Sequence, residues 1–158
     1  MAAVDILTKM GVWAPAAKEL GQQSIISGQG ATRTLKQGES GSLCLFDKVD
    51  GIVYTLPAPK VGLYFDFLIT ASITSNLAKV ITDGAATFIL GAVEMFTIAT
   101  ASPAGFAANG AATVFIGGDA TTKGGLAGGN FRLTCVSATQ WAVTGTLVGS
   151  GTIVTPFG

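Results

Sequence analysis

The 158-residue chain has no histidine. The commonest general base, the base of a nucleophilic triad and the commonest metal ligand are therefore all missing. Charge is scarce as well: nine Lys and Arg balance nine Asp and Glu, so charged residues make up 11% of the chain and the net charge is zero. Soluble domains carry about 25%. Zero net charge supplies no field to draw in DNA, RNA or an anionic bilayer, so neither nucleic acid nor a membrane is expected as a partner. A bilayer span needs about 20 consecutive apolar residues. The longest charge-free window, Met95 to Gly118, is broken by Ser102, Pro103, Asn109 and several glycines. Cysteine is confined to Cys44 and Cys135, each inside an alternating apolar run and in no ligand spacing, so both are expected as buried thiols. Asp5 and Lys9 interrupt the N-terminal apolar residues, so no secretory signal is expected and synthesis in the cytoplasm is.

What is present is strand periodicity. In Asp50 to Thr70, DGIVYTLPAPKVGLYFDFLIT, Ile52, Tyr54 and Leu56 alternate in one run and Leu63, Phe65, Phe67 and Ile69 in the next. Successive strand side chains point to opposite faces, so this spacing predicts two half-buried strands. Pro57 and Pro59 cannot donate ladder hydrogen bonds and belong to the connection between them. Further strands are predicted over 31–35, 42–46, 79–82, 87–90, 93–99, 113–116, 131–136 and 141–147, with a short closing run over 152–155. Turn-forming residues separate them at Gln37 to Gly41, Asp50-Gly51, Asp83-Gly84 and Ser137 to Thr139. About ten short strands at near-regular spacing predict an all-β domain over 29–158, a sandwich or barrel of jelly-roll-like topology. No fixed internal period is visible.

Three segments stand apart. Residues 1–28 hold Val4, Ile6, Leu7, Met10 and Trp13 without strand period, cut by Gly11 and Pro15. This is an extended N-terminal arm, lying either on a partner's surface or back on its own domain. Residues 100–112 and 117–130 are Gly- and Ala-rich and nearly uncharged, and read as long loops that project as tips or pack around a symmetry axis. Phe106 and Leu126 would be their apolar plugs at an oligomer interface.

No stretch carries a catalytic signature. Asp47 and Asp50 flank Lys48 at a turn and lack the alternating oxygen ligands of a calcium loop. Asp66 and Glu94 alternate with apolar neighbours and are expected to face outward. The glycines of 28–33 and 117–125 lack the Gly-Lys-Ser/Thr of a phosphate loop. Trp13, Tyr54 and Trp141 could in principle make a sugar-stacking platform, but Trp141 leads an alternating run and is expected in the core. No cofactor is expected and the chain reads as non-enzymatic. A surface this poor in charge is expected to be covered by other protein, because obligate interfaces are depleted in charge.

The run DGI-x-x-TLPAP followed by an aromatic-rich strand, with the ending W-x-V-x-G-x-x-x-GSG (Trp141, Val143, Gly145, Gly149, Ser150 and Gly151), resembles head decoration, or cement, proteins of tailed bacteriophages. The likeness runs from Ser42 to the C-terminus. It implies a structural virion protein on the capsid's outer surface, bridging major capsid subunits as a homotrimer. Val4, Ile6, Leu7, Met10 and Trp13 would then be the capsid contacts. The alternative reading is a β-rich head-fibre or tail-fibre module that binds host-surface glycan.

Overall fold

A computed structural model describes residues 9–11, 22–28, 30–75, 78–84, 86–98, 100–119 and 121–158. The described residues form eleven strands: β1 (Ile25–Ile26), β2 (Thr32–Thr34), β3 (Leu43–Phe46), β4 (Val53–Thr55), β5 (Tyr64–Ile69), β6 (Ala78–Ile81), β7 (Phe88–Thr97), β8 (Thr100–Asn109), β9 (Phe115–Gly118), β10 (Asn130–Ser137) and β11 (Gln140–Gly149). They make a seven-stranded sheet of order β1-β3-β5-β10-β11-β7-β8 and a four-stranded sheet of order β2-β4-β6-β9. The all-β architecture is the one the alternation predicts.

The core lies between the sheets. Tyr54 from the smaller sheet meets Phe46 edge-on at 5.2 Å and Phe67 at 5.7 Å from the larger one, and Phe67 stacks on Phe131 at 5.0 Å. Ile52, Tyr54, Leu56, Phe65 and Phe67 are all buried, as their spacing requires. The Pro57 and Pro59 connection carries the chain from one sheet to the other, so the two predicted strands face each other across the core instead of pairing.

The winding departs from a jelly roll, in which neighbouring strands run antiparallel. From β1 to β6 the chain crosses to the opposite sheet after every strand. A strand reached by such a return trip runs in the original direction, so β1, β3 and β5 pair parallel, as do β2, β4 and β6. This half is a short two-sided coil. Its steps are uneven, Ile25 to Leu43 to Asp66 in one sheet and Thr32 to Val53 to Lys79 in the other, which is why no period is visible. The second half closes with the β10–β11 hairpin, antiparallel to β5, and the β7–β8 hairpin, with β11 parallel to β7.

Two expectations at element level change. The predicted strands 87–90 and 93–99 are one strand, β7, and the predicted loop 100–112 is mostly β8. TASPAGFAAN reads as a loop because of Pro103 and its small residues, yet Ala104, Phe106 and Ala108 alternate towards β7's inner face. An edge strand tolerates proline, whose missing N–H can face away from the ladder. A bulge between Met95 and Thr97 lies beside it. Ile25 and Ile26, inside the segment read as an arm, form β1, and Gly28 N–H donates to Asp47 Oδ1 at 2.9 Å.

Candidate interaction surface

Of the expected capsid contacts, Val4, Ile6, Leu7 and Trp13 lie outside the described residues, and Met10 is 76% exposed. Where the chain enters β1, Gln23 Nε2 donates to Asp66 Oδ2 at 2.7 Å on the outer face of the larger sheet. Residues 22–24 thus enter β1 at the sheet edge opposite β8. Phe106 is not a loop plug. It stands in β8 opposite Val93, half-buried and packed against the core. Leu126 is half-buried in the β9–β10 connection, its N–H donating to Val148 O at 3.0 Å. That connection is tied down locally. Asp119 accepts from Thr121 N–H, Lys123 N–H and the Thr122 hydroxyl at 2.7–2.9 Å. Burial pushes the Asp119 carboxyl up, but these hydrogen bonds outweigh it and hold it below its ordinary value.

The outer face of the larger sheet carries a polar cluster around Asp66 and Arg132. Arg132 Nε and an Nη donate to the two oxygens of Asp66 at 2.6 and 2.8 Å, a two-pronged pairing that fixes both side chains. The Arg132 hydrogen bonds hold the Asp66 carboxyl below its ordinary value against partial burial, with Gln23 assisting. The Arg132 guanidinium lies over the Tyr64 ring, 4.8 Å from its centroid, so this ring face is occupied. Asp66 faces outward and Glu94 is exposed, as their alternation requires. The sugar platform does not form from the described members of its trio. Trp141 is fully buried against Phe65, and Tyr54 is buried with its hydroxyl donating to Leu45 O at 2.7 Å. Cys44 and Cys135 are buried free thiols, Cys44 pushed up to about 12 by burial. Among the described residues no three Cys, Asp or Glu converge as metal ligands, and no helix is long and apolar enough to cross a membrane.

The charge-poor part of the surface is at the other edge. An open cleft of about 610 Å³ is lined by Thr97, Ser102, Pro103, Ala104, Gly151, Thr152 and Ile153, without a charged side chain. Beside it, Ile98 in the β7–β8 turn is 74% exposed and Phe96, near the end of β7, 42%. The outer face continues along register-paired positions: Ala92 beside Ala107 and Thr144, then Glu94 beside Gly105 and Thr146. Glu94 is the one charge in that strip. The sequence reading covered Phe96 and Ile98 with a strand but missed the surface, because its other side is β8. The signal was there in Ala104-Phe106-Ala108 alternating with Pro103-Gly105-Ala107. The chain matches no protein family, no curated protein and no solved structure.

Proposed function

We propose that this protein is a structural component of a viral shell, a non-enzymatic decoration protein that binds the outer surface of a phage capsid and bridges its major capsid subunits. The observation that carries the reading is the charge-poor strip of cleft, β7–β8 turn and β8 edge, with Glu94 its one charge, on a chain with 11% charged residues. Such a surface is poorly solvated by itself and suits burial against protein, where apolar area contributes roughly 25 cal/mol per Å². A protein that binds only the assembled shell stabilises it by mass action, by about 2.7 kcal/mol per site at a free concentration 100 times Kd. Neither a cofactor nor a catalytic group enters this account.

The apolar residues before β1, with Met10 exposed among them, are the proposed anchor to the capsid subunits. An arm that orders on binding must offset its lost conformational entropy with buried side chains, and each Leu- or Ile-sized one contributes roughly 1.5–3 kcal/mol. The glycan-binding alternative draws less support, since Trp141 and Tyr54 are in the core and Arg132 covers the Tyr64 ring.

The test is retention on particles. Capsids from cells producing the protein should carry it as extra density on the shell by electron microscopy. A chain lacking residues 1–22 should fold with unchanged circular dichroism and wash off the same shells. Native particles without the protein would refute the reading, and a truncated chain that decorates as tightly as the full one would refute the anchor.

A further inference from the structure

The two sheets have four edges, and three are blunted. β1 is two residues long, and β2 is three and carries Arg33. β9 is covered by the C-terminal segment: Phe115 N–H donates to Gly158 O, Gly158 N–H to Phe115 O and Gly117 N–H to Pro156 O. Short strands, charges and a covering segment are the usual ways a protein keeps a sheet edge from pairing with another chain. β8 has none of these three; what blunting it has, Pro103 and the neighbouring bulge between Met95 and Thr97, lies towards its N-terminal end. It runs ten residues, has no charged side chain, and pairs among the described residues with β7 alone.

The register says which backbone groups it offers. Gly110 N–H donates to Ile89 O at 3.0 Å across a directly opposed pair. In an antiparallel ladder bonded and unbonded pairs alternate, so Ala108, Phe106 and Ala104 spend their backbone groups on β7. Asn109, Ala107 and Gly105 therefore point theirs away from the sheet. Pro103 falls in the same outward set, where its missing N–H costs the fold nothing. The outward set carries only small or amide side chains, and a Cβ added at Gly105 would meet nothing within 4 Å, so a second strand can approach closely.

We infer that β8 pairs antiparallel with β8 of a second copy about a two-fold axis, joining two seven-stranded sheets into one. The occupant is a second copy because a matching strand must be long, uncharged and open on one side. The other ten-residue strands, β7 and β11, have both flanks filled. With Phe106 at the axis, Gly105 and Ala107 of one copy exchange N–H and C=O bonds with Ala107 and Gly105 of the other. Asn109 N–H then reaches the partner's Pro103 carbonyl, so the arrangement asks nothing of Pro103 that it lacks. The two Phe106 rings meet on the inner side, which gives this half-buried residue the interface role expected of it. β1 is at the far edge, six strand spacings or roughly 29 Å away, so pairing at β8 does not compete with contacts made beside β1. The inference is independent of the capsid reading, since the pairing forms in solution.

The test is the solution mass of the full chain by sedimentation velocity and light scattering at micromolar concentration, with circular dichroism to report folding. The expected result is a species of twice the 15.9 kDa chain mass. Ala107→Pro, which removes an outward N–H, and Gly105→Lys, which places a charge on the edge in open space, should each give a folded monomer. A wild-type monomer, a trimer such as the resemblance implies, or a dimer that survives Gly105→Lys with its affinity unchanged overturns the inference.

Discussion

Gly145→Ala should be among the most damaging single-methyl changes in this protein. Gly145 sits in β11 between Phe131 on β10 and Val93 on β7, with φ at +155°, where residues with a Cβ are strained. Backbone in such glycine-only territory costs a non-glycine residue about 1–3 kcal/mol. Space is also closed: an added Cβ would lie 2.4 Å from Asn130 O and 2.4 Å from Phe131 Cα. Both contacts are backbone in a central ladder, so β10 must move away from β11, and overpacking of this kind costs about 1–3 kcal/mol more. The two effects together predict a loss of about 2–6 kcal/mol. At about 2–4 °C per kcal/mol for a chain of this size, Tm should fall by at least about 4 °C, read by thermal circular dichroism and by urea titration. Gly38→Ala is the control, because nothing lies within 4 Å of its Cβ and its φ is not positive; its stability should stay within about 0.5 kcal/mol of wild type. A Gly145→Ala protein melting within 2 °C of wild type would refute the packing argument.

The Asp66–Arg132 pair predicts an acid-sensitive increment. The folded-state carboxyl is depressed chiefly by Arg132, so its contribution is present above the unfolded value near 3.8 and is lost as pH falls through the lower folded value. Asp66→Asn should therefore cost up to about 1 kcal/mol at pH 7, as exposed pairs do, and progressively less as pH falls below 3.8; a deficit that stays constant across the acid range would show that the pair's charge is irrelevant. The thiols predict the opposite slope. Cys44 is raised to about 12 by burial, so its contribution is full below the unfolded thiol value and is lost as pH rises through 12. Both cysteines should resist a thiol reagent at pH 8 in the native protein and both should react in denaturant without reductant, while a mass showing one intramolecular disulfide would refute the free-thiol assignment.

What the sequence determined by itself is the local half of this protein. Alternation in 52–56 and 63–69 chose strand, because side chains on an extended backbone must point to opposite faces whatever they later meet. The two prolines set the corner between those strands through fixed φ and a missing donor. The lack of histidine and the thin scatter of carboxylates narrowed the chemistry before any fold was known, and Trp141 stood out as core from its place in an alternating run. Tertiary structure decided what depends on neighbours far along the chain. Whether β3 runs parallel or antiparallel to β5 is not written in either strand, because the same alternation serves both; it follows from the chain crossing to the other sheet in between. β8 became a strand because β7 offered it a ladder and the sheet edge excused Pro103, whereas its own composition favoured a loop. Gly145 looks like any turn-forming glycine until β10 lies against it. The long uncharged edge exists only once the sheet order leaves β8 last in the row.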